Sequence, residues 1–153
     1  MRHALTAFAG PICAFSLLAQ ASVGLAQDAK ADLERFQGTW KVVLFERNGN
    51  IIPAERIAGR ILIVSGEKFT DKQGDKVLGE GTMALEPTKS PKSVDGKFTA
   101  GPEELIGKIV PGIYRFDGEK LEVVSGPPSK TRPAKFASEP DTGQMRLIYE
   151  RMK

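Results

Sequence analysis

The side chains best suited to covalent, redox or metal chemistry are nearly missing from this chain: the only Cys is Cys13 and the only His is His3. Both fall in the first thirteen residues. The rest of the chain has no thiol nucleophile, no Ser-His-Asp triad and no imidazole or thiolate ligand for a metal. Carboxylates remain. Glu103-Glu104 could supply a glycosidase-type acid and base, but adjacent residues on a strand point to opposite faces, so a solvated loop is the better reading. Asp71, Asp75 and Asp95 are read as lying in separate turns and form no Asp-x-Asp-x-Asp-Gly loop for a hard cation. Ser125, Ser129 and Lys130 offer a Ser-Lys dyad, but they flank Pro127-Pro128 and read as a polar loop. Gly66 and Gly79-Glu80-Gly81 lack the strand–glycine–helix setting of a phosphate loop. The expectation is a protein that is not an enzyme, with no catalytic residue, cofactor or metal. A carboxylate-based hydrolase is the residual enzymatic alternative.

The first segment reads as an address. Arg2 is followed by an apolar stretch from Ala4 to Leu18, broken by Gly10-Pro11, and the next acidic residue is Asp28. A basic start, an apolar run and small residues describe a secretory signal peptide. Gly24 and Ala26 suit the peptidase pocket, which predicts cleavage between Ala26 and Gln27; Ala19-Gln20-Ala21 is a second option. A lasting membrane anchor needs about twenty apolar residues, and Gln20, Ser22 and Gly24 dilute this stretch. The domain division is therefore 1–26 as leader and 27–153 as one exported domain, periplasmic or extracellular, with no stable membrane span after cleavage. Without Cys the exported domain has no disulfide, although its compartment would permit one.

The positions of these residues are set by short strands. Gly (16) and Pro (10) together exceed the usual combined share of about 12 percent, which suits many tight turns. Hydrophobic residues at 41% and charged ones at 27% argue for a globular domain over a disordered chain. Apolar residues recur with period two, predicting strands at Thr39–Glu46, Arg60–Ser65, Lys68–Asp71, Lys76–Glu86, Ser93–Ala100, Lys108–Phe116, Lys120–Ser125 and Gln144–Arg151. Asn48-Gly49 and Asp117-Gly118 mark turns. Short helical turns are expected at Asp32–Phe36 and Pro53–Gly59. No fixed-period repeat is visible, and the proline-bearing stretches 87–92 and 127–133 read as loops. The fold class is all-β: a single up-and-down antiparallel barrel of about eight strands with one or two helical turns, a sandwich being the other architecture for such strands.

Phe36-Gln37-Gly38-Thr39-Trp40-Lys41-Val42 resembles the Gly-x-Trp opening of lipocalins and related calycins. The resemblance implies that Trp40 closes one end of the barrel and that an Arg near the last strand, here Arg151, lies across its indole. Gln37-Gly38-Thr39-Trp40, Pro53-Ala54-Glu55, Gly112-Ile113-Tyr114 and Arg132-Pro133-Ala134-Lys135-Phe136 together resemble a lipocalin-like domain family of unknown function found mostly in planctomycete bacteria. It covers nearly all of residues 33–151 in order and implies a fold, not an activity. Ala100-Gly101-Pro102-Glu103-Glu104-Leu105 is less regular than that pattern.

Two functions stand open. In the first, the barrel binds a small apolar or amphipathic ligand lined by Val42, Leu44, Met83, Tyr114, Phe116 and Tyr149, with Gly79, Gly81 and Gly112 leaving room. In the second, the domain is an envelope interaction or structural module whose basic loops, Lys89/Lys92 and Lys130/Arg132/Lys135, meet an acidic polymer or partner protein. The net charge of +3 is too small to argue for nucleic acid. An open apolar cavity would favour the first reading and a filled barrel with an exposed apolar patch the second.

Overall fold

The computed structural model describes residues 19–153, so Arg2, His3, Cys13 and most of the expected leader lie outside the described residues. The chain enters as helix α1 (Ala19–Phe36). It continues through strand β1 (Gly38–Arg47), a two-residue strand β2 (Asn50–Ile51), the short helix α2 (Ala54–Ile57) and strands β3 (Arg60–Ser65) and β4 (Lys68–Gln73). Strands β5 (Lys76–Glu86), β6 (Ser93–Ala100), β7 (Ile109–Asp117), β8 (Lys120–Ser125) and β9 (Met145–Arg151) complete it.

Strands β1 and β3 to β9 pair antiparallel with their neighbours in sequence, and β9 returns to pair with β1. The result is a closed eight-stranded up-and-down barrel, with β2 as an extra strand on the far end of β1. Closure gives each of the eight strands a paired neighbour on both sides. The Asn48-Gly49 turn joins β1 to β2 with both φ angles positive, 50° and 77°, as a two-residue hairpin turn of this kind requires.

Two expectations about secondary structure need correction. Helix α1 is far longer than the single turn expected at Asp32–Phe36. Ala26, Ala29, Lys30, Ala31, Leu33 and Glu34 are strong helix formers, but the exposed stretch Gly24–Asp28 carries no apolar stripe to reveal the helix. Asp71 and Asp95 belong to β4 and β6 and not to turns.

The core is the barrel interior. Trp40 and Val42 of β1, Leu62 and Val64 of β3, Phe69, Met83, Tyr114, Leu121, Leu147 and Tyr149 form one buried cluster, joined by Phe36 of α1 and Ile57 of α2. Leu44 does not join it, contrary to the period-two expectation. The β1–β9 register slips between Val42 and Leu44, so Val42 faces Tyr149 while Leu44 faces Ile148 and Phe45 faces Leu147. The bulge reverses the alternation. Phe45 takes the inward place, and Leu44 turns outward.

A second apolar layer lies outside the barrel. Ile113 and Val124 are 1% and 0% exposed yet sit on outward faces of β7 and β8. The connection from β8 to β9, residues 126–144, lies near this face, with Gly126, Pro133 and Ser138 buried. Arg132 ties it down: its Nη1 donates to the carbonyls of Val94 (3.2 Å) and Gly112 (2.7 Å), and its Nη2 pairs with Asp95 at 2.7 Å.

Candidate functional site

The barrel interior is the site the sequence favoured for a ligand. Val42, Met83, Tyr114, Phe116 and Tyr149 do face inward, but other side chains fill the room expected beside them. A Cβ at Gly79 would meet the Phe98 ring at 2.8 Å, and one at Gly81 would run into the Lys97 carbonyl and the Phe69 ring. Phe69 and Phe98 pack edge-to-face over these glycines at 5.1 Å. Gly112 lies against the Val124 carbonyl and Val94, so it too offers no void.

Both ends are stoppered. At the first, Phe36 of α1 packs against Tyr114 and Phe116 with ring centroids 5.0 and 5.1 Å away. The Trp40 Nε1 donates to the Phe36 carbonyl at 2.7 Å. Arg151 lies over the indole at 4.2 Å and donates to the carbonyls of Gln37 (2.7 Å) and Arg35 (2.6 Å). At the opposite end α2 turns Ile57 into the core, held by Gln73, whose amide donates to the carbonyls of Arg56 and Ala58.

Most of the polar groups at the interior already have partners. The Tyr114 hydroxyl donates to Asp32 Oδ2 at 2.6 Å, and the Lys92 ammonium meets the same oxygen at 2.7 Å. Burial works against the Asp32 carboxylate, but these two bonds outweigh it and hold its carboxyl below the ordinary value. Burial first, and Asp32 second, push the Tyr114 phenol upward. Arg60 and Asp71 form a two-pronged pair at 3.0 and 2.5 Å beneath α2, with the guanidinium 4.9 Å from the Phe45 ring. Burial disfavours the Arg60 charge, yet hydrogen bonding to Asp71 outweighs it and raises the pKa overall. Burial also raises the Tyr149 phenol, followed by the nearby Asp71 charge.

Most of the basic residues proposed for an acidic partner are paired within the chain. Lys89 meets Glu86 at 2.5 Å, Lys92 meets Asp32, Arg132 meets Asp95, and Lys135 meets Glu139 at 3.4 Å. Arg132 in particular is a strut.

A different group of cations is arranged around an external cleft of about 240 Å³ beside the α1 end of the barrel. Arg35 from the last turn of α1 lies 4.0 Å over the Phe116 ring, and Arg115 of β7 lies 4.3 Å over Phe136 of the β8–β9 connection. Pro91 and Lys92 complete the wall. Arg115 holds Glu122 through Nε at 2.5 Å, and Glu122 also accepts from Arg146, which reaches Glu46 at 2.9 Å. This ladder crosses the outer face of β7, β8, β9 and β1.

Sequence reasoning missed Arg35 and Arg115. The Asp117-Gly118 turn did carry the signal for Arg115, because a hairpin there sets Arg115 opposite Glu122. Nothing local marks Arg35, which acquires its partner ring only when α1 docks on the barrel. Comparisons with protein-family models, curated proteins and solved structures gave no match.

Proposed function

We propose that this chain is an exported, non-enzymatic binding domain that engages its partner through its outer surface, the barrel interior serving as the hydrophobic core. The filled interior supports this reading: Phe69 and Phe98 occupy the space over Gly79 and Gly81, with Phe36 and Ile57 plugging the ends. Export rests on Arg2, the apolar run and the small residues before Gln27. Asp32, Leu33 and Phe36, the α1 residues that meet the core, all lie beyond Gln27, so cleavage after Ala26 leaves that packing intact. Membership of the lipocalin-like family belongs to the same proposal and rests on Gly38-Thr39-Trp40 and Arg151.

The experiment is a titration with environment-sensitive apolar dyes and fatty acids, read through dye emission and Trp40 quenching. The expected outcome is no saturable binding. One-to-one saturation with Trp40 quenching would overturn the proposal and return the barrel to the carrier reading. N-terminal sequencing of the exported protein should begin at Gln27.

A further inference from the structure

The cleft between the last turn of α1, β7 and the β8–β9 connection combines unused hydrogen-bond donors with apolar walls. Among the described residues the Arg35 guanidinium has no ion pair or hydrogen bond, and Arg115 uses only Nε, on Glu122. Arg115 is 53% exposed at its side chain, and among the described residues its two terminal nitrogens make no hydrogen bond. Each guanidinium is laid on a phenyl ring, Arg35 on Phe116 and Arg115 on Phe136. Such a cation–π contact holds the guanidinium in place without using its N–H donors, which stay available to a carboxylate. The acidic groups nearby are Asp32 and Glu122, and both are buried and engaged. Pro91 and the two phenyl rings supply apolar wall between the charges.

We propose that this cleft binds an acidic peptide segment of a partner protein, taking one carboxylate between Arg35 and Arg115 and the neighbouring apolar side chain against Pro91 and Phe136. This deepens, and rests on, the outer-surface reading above. A peptide is favoured over an acidic polysaccharide because the walls are apolar. The Tyr114 hydroxyl, the one neutral hydroxyl among the lining side chains, is already donated to Asp32. A cleft of about 240 Å³ holds one or two side chains, so the contact belongs to the weak, transient class.

The test is fluorescence anisotropy of the exported domain with a labelled peptide of alternating Glu and Leu, its Gln-for-Glu counterpart, and a labelled oligouronate. The acidic peptide should saturate with a dissociation constant of about 100 μM at low salt and weaken as salt rises. Arg35→Gln should weaken it about tenfold with the domain still folded and at most a small drop in melting temperature from the lost Phe116 contact, since the Arg35 carbonyl that accepts from Arg151 is kept. Phe136→Ala should weaken it comparably. No saturation, equal binding of the neutral peptide, or an unaffected Arg35→Gln variant would overturn the proposal. Binding of the oligouronate in place of the peptide would also overturn it while leaving the outer-surface reading intact. Failure of that broader reading appears separately, as saturable dye binding inside the barrel.

Discussion

Arg151 shows how one side chain can close a barrel. It lies over Trp40 and satisfies two carbonyls at the end of α1, so it joins the first helix to the last strand. Arg151→Ala should cost about 2 kcal/mol, combining a partly desolvated cation–π contact with charge-assisted hydrogen bonds. Urea unfolding measures the loss, and Trp40 emission should shift with it. Asp32 provides a pH-dependent link at the same end of the barrel. Its folded pKa lies below the unfolded value, so its contribution is present above the unfolded pKa of about 4 and is lost as pH falls through the folded one. Melting temperatures taken from pH 6 down to pH 3 should therefore fall less steeply for Asp32→Asn than for the unaltered protein. At pH 7 the same variant should be the less stable one, because Lys92 and the Tyr114 hydroxyl lose their anionic acceptor.

At the scale of elements, the β5–β6 contact depends on small residues. Gly81 packs so closely on the Lys97 carbonyl that Gly81→Ala must move backbone, at a cost of about 2 kcal/mol or more. Gly66→Ala meets no crowding, but its φ of +61° still makes it a strained substitution, so chemical denaturation should rank it milder. The β8–β9 connection behaves as structure despite having no regular element. Arg132→Ala removes three hydrogen bonds that hold it to β6 and β7. Hydrogen exchange should then speed up across residues 126–144 and at the neighbouring Ile113 and Val124 amides, with the barrel otherwise folded.

For the whole molecule, the decisive quantity is how fully the interior is packed. Leu121, near the start of β8, is 0% exposed and belongs to the interior cluster. In a packed core, Leu121→Ala should cost about 3 kcal/mol, within the usual range for a buried Leu truncated to Ala. An interior loose enough to admit a ligand would give a clearly smaller loss. Equilibrium unfolding of this variant, set beside the dye titration, measures the same property from two directions.

The strands were legible because alternation and turn residues are local properties. The predicted bounds Arg60–Ser65, Lys76–Glu86, Ser93–Ala100 and Lys120–Ser125 coincide with β3, β5, β6 and β8, while the choice of a closed barrel over a sandwich was made by the β1–β9 pairing. The loss of Cys and His chemistry beyond residue 13 was likewise set by composition alone. Tertiary structure decided the rest. A one-residue bulge near Val43, invisible to a period-two reading, exchanged Leu44 for Phe45 on the inner face. Glycines that looked like room became contact surfaces once Phe69 and Phe98 arrived from neighbouring strands. Arg35 and Phe116 are far apart in sequence, and Arg115 and Phe136 lie on different segments; docking of α1 and of the β8–β9 connection brings each pair together. Pattern along the chain assigns a residue to a face, but the volume beside that face depends on which distant side chains are packed into it.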